Sequence, residues 1–273
     1  MANPFKISIL VGDADDRPPA QIAPGYDTAE IPNSLQMRPL DSKALWISHK
    51  AMIASWSLPK VTASSHWFGR GMSASGPGLD DDLITFWIER SFDRLQEIGV
   101  KYVGCYGSHF PVPDEFSRSK ATDQAVAYVH KMADAAEKRG MVIALEPMAA
   151  PDTVFPTYLD GLKFAKQVNR PGVRVMADLN YFIKIDQPLS DIEKDPEYCV
   201  NVHIAGKQGQ PGVGDMVDIH TRLFQTLKGI GYELSVTSAC PWVSTDKGEM
   251  DFAKETAKSL SYLQKLRDKV YAG

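Results

Sequence analysis

The sequence predicts a protein of the α/β class, a closed (β/α)8 barrel built as one domain over residues 1–273 with a degenerate first helix. Short apolar runs rich in β-branched residues alternate along the chain with stretches of helical periodicity, the pattern of parallel strands joined by helical crossovers. The runs are continuously apolar, as is typical of strands that are buried on both faces. A length of 273 residues also fits a barrel, which typically needs about 250 residues.

Eight strands are predicted, spread evenly over the chain. They are 6–11, 27–31, 60–65, 101–106, 141–146, 173–178, 199–205 and 233–237. The sequence between them contains no repeat, no low-complexity block and no evident linker, which favours one domain over two.

Helices are predicted between most of these strands. They are 83–98, 124–139, 157–168, 217–229 and 250–267. Thr122 and Asp123 are candidate caps for the second of them, and Gly140 follows its last turn as a helix-ending glycine often does. Region 12–58 contains five prolines, so we expect the first barrel helix to be lost or replaced by a loop.

An open doubly wound sheet is the alternative fold. It would be expected to carry a glycine-rich phosphate-binding turn after the first strand. The sequence at that place is VGDADDRPPA, which lacks the GxGxxG pattern and carries three acids. The closed barrel is therefore preferred.

Composition excludes several classes of partner. The formal net charge of −4 provides no basic surface for nucleic acid. No apolar run approaches the ~20 residues of a membrane span, and the N-terminus does not resemble a secretory signal. Three cysteines without CxxC spacing are typical of reduced thiols. We expect a cytoplasmic protein with no membrane or nucleic-acid partner.

Three strand ends carry residues that bind metals or move protons. The strand 141–146 ends in Glu146, the strand 173–178 ends in Asp178, and His203 lies near the end of 199–205. Catalytic groups of a (β/α)8 barrel lie at the carboxyl ends of its strands, so these three side chains should converge. Each has a structural alternative, as a helix cap, an ion-pair partner or a core histidine. Together they indicate a site for Mn²⁺, Mg²⁺, Co²⁺ or Zn²⁺.

Several motifs resemble those of a known superfamily. ALEPM, VRVMADLNYF and VNVHIAGKQGQPGVGD, with GYDTAEIP early and GYELSVTS late, resemble the xylose isomerase-like TIM barrels. That superfamily includes sugar epimerases related to tagatose 3-epimerase, hydroxypyruvate isomerases, inosose dehydratases and C-glycoside deglycosidases. The resemblance covers nearly the whole chain, but its motifs are short and bear on the superfamily more than on the reaction.

The resemblance implies a set of site residues. It places metal ligands at Glu146, Asp178 and His203, and a substrate-binding acid at Asp152. Four positions depart from the usual pattern. Tyr181 stands where many members have His, Gly206 where they often have Asp, Lys207 is the only candidate for an expected basic residue, and Thr237 replaces a fourth, glutamate ligand. We expect Tyr181, Lys207 and Thr237 to contact substrate with Asp152.

Two histidines lie just past the third and fourth strands. His66 and His109 could bind sugar hydroxyls or move protons, because an imidazole titrates near neutral pH. Their alternative is a structural role in the loops. Trp67 is a candidate apolar wall for the substrate, although aromatic residues in loops also serve only packing.

The implied function is a divalent-metal-dependent isomerase or epimerase, with Mn²⁺ the first choice of metal. It would remove an α-proton from a small keto-sugar or polyol carbonyl compound to give an enediolate, with Glu146, His109 and His66 as catalytic residues. Because Thr237 removes one carboxylate, two-base epimerisation would need a histidine to replace it. One-base isomerisation needs no such replacement.

Two alternatives stay open. One is a lyase or dehydratase of the same fold, including an enzyme that cleaves 3-keto C-glycosides together with a small second subunit. The other is a metal-free, non-catalytic barrel. The expected partners are a sugar substrate and either further copies of the chain or that small subunit.

Overall fold

Eight parallel strands close into a barrel in the computed structural model, which describes residues 3–12, 22–69, 71–246 and 248–272. The strands are β1 (Lys6–Leu10), β2 (Thr28–Pro32), β3 (Val61–Ser65), β4 (Tyr102–Tyr106), β5 (Val142–Glu146), β6 (Val173–Asp178), β7 (Cys199–Ile204) and β8 (Ser235–Ser238). Each predicted strand is present, with both ends within two residues of the predicted ones. The predicted closed barrel is confirmed.

Each strand pairs with the next along the chain, and β8 pairs with β1 to close the ring. On the inner face of the strands, Ala144, Met176 and Val200 form a small apolar cluster. The opposite faces of the strands pack against the helices in a much larger apolar core. This arrangement explains why most runs are apolar without alternation: both faces of each strand are covered.

Seven α-helices lie in the described part of the chain. They are α1 (Lys43–Ser55), α2 (Asp81–Glu97), α3 (Arg118–Lys138), α4 (Tyr158–Val168), α5 (Leu179–Lys184), α6 (Val217–Gly229) and α7 (Phe252–Ala272). Among them no helix combines the length and the apolarity needed to cross a membrane.

The predicted start of α3 is wrong. The helix begins at Arg118, where the Ser117 hydroxyl accepts from the Lys120 backbone N–H. Thr122 lies inside the helix, and its hydroxyl donates to the carbonyl of Arg118 one turn earlier. Asp123 likewise lies within the helix. A serine that caps the backbone thus sets the boundary earlier than the apolar periodicity indicated.

The region 12–58 is more regular than the sequence predicts. Its second half contains α1, which is capped by Ser42 and preceded by a short π-helical turn at Asn33–Met37. Pro39 lies before this cap, so it does not interrupt the helix. Between β1 and β2, residues 22–27 contain no helix, whereas the prolines at 18 and 19 lie outside the described residues.

Candidate metal centre

Glu146, Asp178 and His203 converge inside the carboxyl end of the barrel. They come from β5, β6 and β7, three neighbouring strands, and Asp178 lies directly opposite His203 in the parallel register. All three side chains are buried, and one ligand atom from each lies within 4.8 Å of the others. The parallel register thus joins residues that are 57 positions apart in sequence.

The distances in this cluster suit a shared cation. His203 Nδ1 lies 4.0 Å from Glu146 Oε1 and 3.9 Å from Asp178 Oδ2, too far for hydrogen bonds. Atoms bound at about 2.1 Å to one ion lie roughly 3 to 4 Å apart. Among the described residues, the buried Glu146 Oε2 also has no hydrogen-bond partner. The nitrogen and carboxylate donors therefore fit a divalent ion.

Burial makes the charges of this cluster unfavourable by themselves. Desolvation, joined by the charges of Asp178 and Glu30, raises the pKa of Glu146 well above its usual range. Desolvation likewise raises the pKa of Asp178, although the Asn180 backbone N–H donates to its Oδ1 at 2.8 Å. A dication among these groups would favour the ionised carboxylates and remove the penalty.

Glu30 is a site residue that was not predicted from the sequence. It lies in β2, is fully buried, and reaches across the barrel interior to His203, whose Nε2 is 3.0 Å from Oε1. Burial alone would lower the pKa of His203, but the charge of Glu30 outweighs it, with Glu146 and Asp178 adding to the effect, and raises that pKa to about 10. The signal was in the sequence: an acid inside a continuously buried strand needs a partner.

Thr237 lies beside His203. The two residues are opposite each other in β8 and β7, and Thr237 is fully buried. In the described part of the structure its Oγ1 has no hydrogen-bond partner. A neutral hydroxyl thus stands next to the cluster at the position where the resemblance implied a fourth carboxylate.

A second group of polar side chains lies at the ends of β3 and β4. The hydroxyl of Tyr106 is 3.3 Å from the His66 ring nitrogens, and the Ser65 hydroxyl is 3.2 Å from His66 Nδ1. The Tyr106 ring stacks on His109, and Tyr106 lies opposite Glu146 in the register. Burial, with the neighbouring His66 charge, lowers the pKa of His109 to about 3. Tyr106 was not predicted as a site residue.

The other predicted site residues are placed differently. Tyr181 is half-buried in α5, three residues after Asp178, and its pKa is raised by burial and by the charges of Glu146 and Asp178. Asp152 and Lys207 are exposed in the loops that follow β5 and β7.

Trp67 does not line the barrel mouth. It is fully buried, its ring packs on Phe92, and its indole N–H donates to the Tyr128 hydroxyl at 2.5 Å. The structure therefore corrects its predicted role as a substrate wall, because this side chain belongs to the core between the barrel and helices α2 and α3.

Several solved structures with the same fold are sugar epimerases. A 3-keto-D-glucoside 4-epimerase from E. coli is 20% identical, with a TM-score of 0.76 and coverage of 96% of this chain and 99% of that chain. D-psicose 3-epimerase from Clostridium cellulolyticum H10, solved with D-tagatose, gives the same four values. A D-allulose 3-epimerase from Methylomonas sp. is 18% identical, with a TM-score of 0.72 and coverage of 97% and 99%.

At these identities the likeness to solved structures concerns the fold. No curated protein matches the sequence. A family model described as xylose isomerase-like TIM barrel matches residues 25–266, which is most of the chain. The chain belongs to the xylose isomerase-like TIM barrel family.

Proposed function

We propose that this protein is a divalent-metal-dependent sugar isomerase or epimerase that acts on a small keto-sugar or related carbonyl compound. The observation that carries the proposal is the buried cluster of Glu146, Asp178 and His203 at the carboxyl ends of three adjacent strands. The fold is shared with epimerases whose names specify keto-sugars, a 3-keto-D-glucoside and D-psicose, which supports the same substrate class here.

Glu146, Asp178 and His203 would hold the metal, with Mn²⁺ as the first choice and Mg²⁺, Co²⁺ or Zn²⁺ as the others. A bound divalent ion polarises a carbonyl oxygen and acidifies the neighbouring C–H. Two carboxylates and a neutral imidazole balance its charge. Thr237 contributes a neutral hydroxyl where a further carboxylate would otherwise stand, which favours a coordination position left open for substrate.

Glu146 is the proposed base. Its Oε1 faces His203 Nδ1, whereas its Oε2 is free of hydrogen bonds among the described residues, so Oε2 is available to accept a proton. Glu146 would take the α-proton while the C–H electron pair forms the enediolate, and would return the proton to either carbon.

His66 and His109 are the proposed partners for proton transfer at the hydroxyl and carbonyl oxygens. His66 contacts the hydroxyl of Tyr106, and Tyr106 lies opposite Glu146 on the neighbouring strand. The low pKa of His109 keeps its ring neutral at physiological pH. A neutral imidazole can donate a hydrogen bond to a substrate oxygen and accept one.

Thr237 favours lyase or dehydratase chemistry as a second candidate function. Elimination requires one base to remove the α-proton, after which the electron pair expels a β-substituent. A second carboxylate on the opposite face of the substrate is not needed. The same site would therefore be suited to cleave a 3-keto C-glycoside. In this second candidate function the protein works together with a small second subunit.

Tyr181 and Thr237, beside the cluster, are proposed to contact the substrate, with Asp152 and Lys207 reaching it from the loops. We further propose that residues 1–273 form one domain, that the protein works in the cytoplasm, and that it assembles with further copies of itself or with a small subunit.

The test is metal analysis combined with proton exchange. Purified protein should contain one divalent ion per chain, and with Mn²⁺ it should exchange the α-proton of a ketohexose or a 3-keto-glucoside for deuterium in D₂O, followed by NMR. Epimer or ketose–aldose products support the first candidate, and a released aglycone or water-loss product supports the second. Absence of stoichiometric metal, together with unchanged stability of Glu146→Ala, would overturn both.

A further inference from the structure

Glu30 is a buried acid whose carboxylate bonds to side chains of a strand that is not adjacent to its own. It lies in β2, and its partners Asn201 and His203 lie in β7, with β1 and β8 between them in the ring. Asn201 Nδ2 donates to Oε2 at 3.0 Å, while His203 Nε2 lies 3.0 Å from Oε1 and 3.2 Å from Oε2. Asn201 and His203 lie on one face of β7, and the Ser65 side chain of β3 also hydrogen-bonds to Glu30, so the carboxylate is fixed in position.

Glu30 contacts His203 on the side away from Glu146 and Asp178. Its carboxylate meets Nε2, whereas Nδ1 is the ring nitrogen that faces the other two carboxylates. The group of side chains suited to hold an ion consists of Glu146, Asp178 and His203, without Glu30. Glu30 therefore has the geometry of a residue that acts through His203.

A hydrogen bond at Nε2 has two effects on the imidazole. It places the N–H on Nε2, so that the Nδ1 lone pair is available to a cation, and it makes the ring a stronger donor of electron density. It also fixes the rotation of the ring, which is otherwise limited only by packing. Both effects matter more here because Thr237 occupies the position implied for a fourth carboxylate.

We propose that Glu30 is the positioning residue of the metal centre. It accepts the Nε2–H of His203 and so directs Nδ1 towards the ion. It also provides a negative charge close to the ligands, which the neutral Thr237 does not provide. Asn201 fixes the Glu30 carboxylate for this task. The inference rests on the proposed metal centre, and it specifies which residue beyond the ligands determines metal affinity.

Titration with Mn²⁺ alone, measured by calorimetry on the whole chain, tests it. Glu30→Gln keeps the side-chain shape and removes the charge, and it should weaken Mn²⁺ binding about 10- to 100-fold. Glu30→Asp, which keeps the charge on a shorter side chain, should recover part of that loss. Glu255→Gln is the matched control, because Glu255 is also a buried acid but bonds to Gln210 and Thr245 in another part of the molecule.

A second measurement separates a positioning role from a merely structural one. In metal-free protein, the Nε2–H resonance of His203, assigned by its loss in His203→Asn, should lie far downfield and exchange slowly. It should move upfield in Glu30→Gln, provided that circular dichroism shows a folded protein, and stay unchanged in Glu255→Gln.

The outcomes are distinct. Wild-type affinity for Mn²⁺ in Glu30→Gln overturns the inference and leaves the proposed function intact. Absence of binding of Mn²⁺, Mg²⁺, Co²⁺ and Zn²⁺ by the wild type overturns the proposed metal centre, and the His203 resonance then decides whether Glu30 positions the ring. An unchanged resonance in Glu30→Gln overturns the positioning role whatever the metal result.

Discussion

Thr237 and His203 lie opposite each other on adjacent strands, and both side chains are buried at the carboxyl end of the barrel. The hydroxyl of Thr237 has no hydrogen-bond partner among the described residues, while His203 points Nδ1 at two carboxylates. The neutral side chain at position 237 limits the negative charge of the proposed metal centre. A carboxylate at position 237 would add a third negative charge within reach of the same ion.

We expect Thr237→Asp, a change that nearly preserves volume, to have opposite effects with and without metal. A further buried carboxylate should lower the melting temperature of the metal-free protein, because an unpaired buried charge is costly. The variant should bind Mn²⁺ more tightly than the wild type, by about tenfold or more. Calorimetry and thermal melts measure both quantities. Thr237→Val is the isosteric control, and equal Mn²⁺ affinity in all three proteins would contradict the prediction.

Glu146→Gln should separate chemistry from folding. The amide cannot accept the α-proton, so exchange into D₂O should fall about 10²- to 10⁴-fold, the range of general-base contributions. Because burial raises the pKa of Glu146, its ionisation destabilises the metal-free fold at neutral pH. The metal-free variant should therefore melt above the metal-free wild type. Exchange by NMR and melting curves are the two measurements, and wild-type exchange would rule out Glu146 as the base.

Tyr106→Phe should impair turnover while the protein still binds Mn²⁺. The change removes the hydroxyl that contacts both ring nitrogens of His66. We expect kcat to fall by about 10²-fold, since a positioned acid–base group contributes at least that much. Tyr102→Phe is the control, because Tyr102 lies four residues earlier on the same face of β4. Similar kcat values for the two variants would show that Tyr106 and its contact with His66 do not contribute to the reaction.

His220 should make the fold sensitive to acid. Its ring is buried between the Ala205 carbonyl, 2.9 Å from Nε2, and the Tyr262 hydroxyl, 2.8 Å from Nδ1, and burial lowers its pKa to about 4. A histidine that is neutral in the fold contributes stability above its unfolded pKa of about 6.5, and the contribution is lost as pH falls towards 4.

Urea unfolding at pH 7 and pH 4.5 tests this effect. His220→Gln should lose less stability between the two values than the wild type, by up to about 3 kcal/mol. His130→Gln, on the half-exposed part of α3, serves as the comparison. If all three proteins lose equal stability on acidification, His220 is not the responsible group.

Trp67→Ala should affect stability and leave the metal centre unchanged. The indole is fully buried against Phe92 and donates to Tyr128, so its removal should cost about 3–5 kcal/mol of the free energy of unfolding. Mn²⁺ affinity of the folded variant should stay at the wild-type value. A rise in KM without a loss of stability would contradict this prediction and would indicate that Trp67 contacts the substrate.

The positions of the strands and three of the clustered side chains could be predicted from the sequence. Most strands buried on both faces are largely apolar and alternate with helical stretches, so all eight are recognisable. The rule that barrel sites lie at strand ends selects Glu146, Asp178 and His203. Helix boundaries were less accurate, since α3 begins where the Ser117 hydroxyl caps the backbone. Apolar periodicity does not detect such a cap.

The sequence by itself determined which residues end the strands, because local patterns and the order of the elements are encoded along the chain. Only the tertiary structure decided that Glu30 meets His203, since the two residues are 173 positions apart and come together across the closed barrel. It also placed Trp67 in the core while its neighbour His66 contacts Tyr106. Closure of the barrel determines which side chains share its interior. The sequence pattern does not encode the distances between side chains on opposite sides of the barrel.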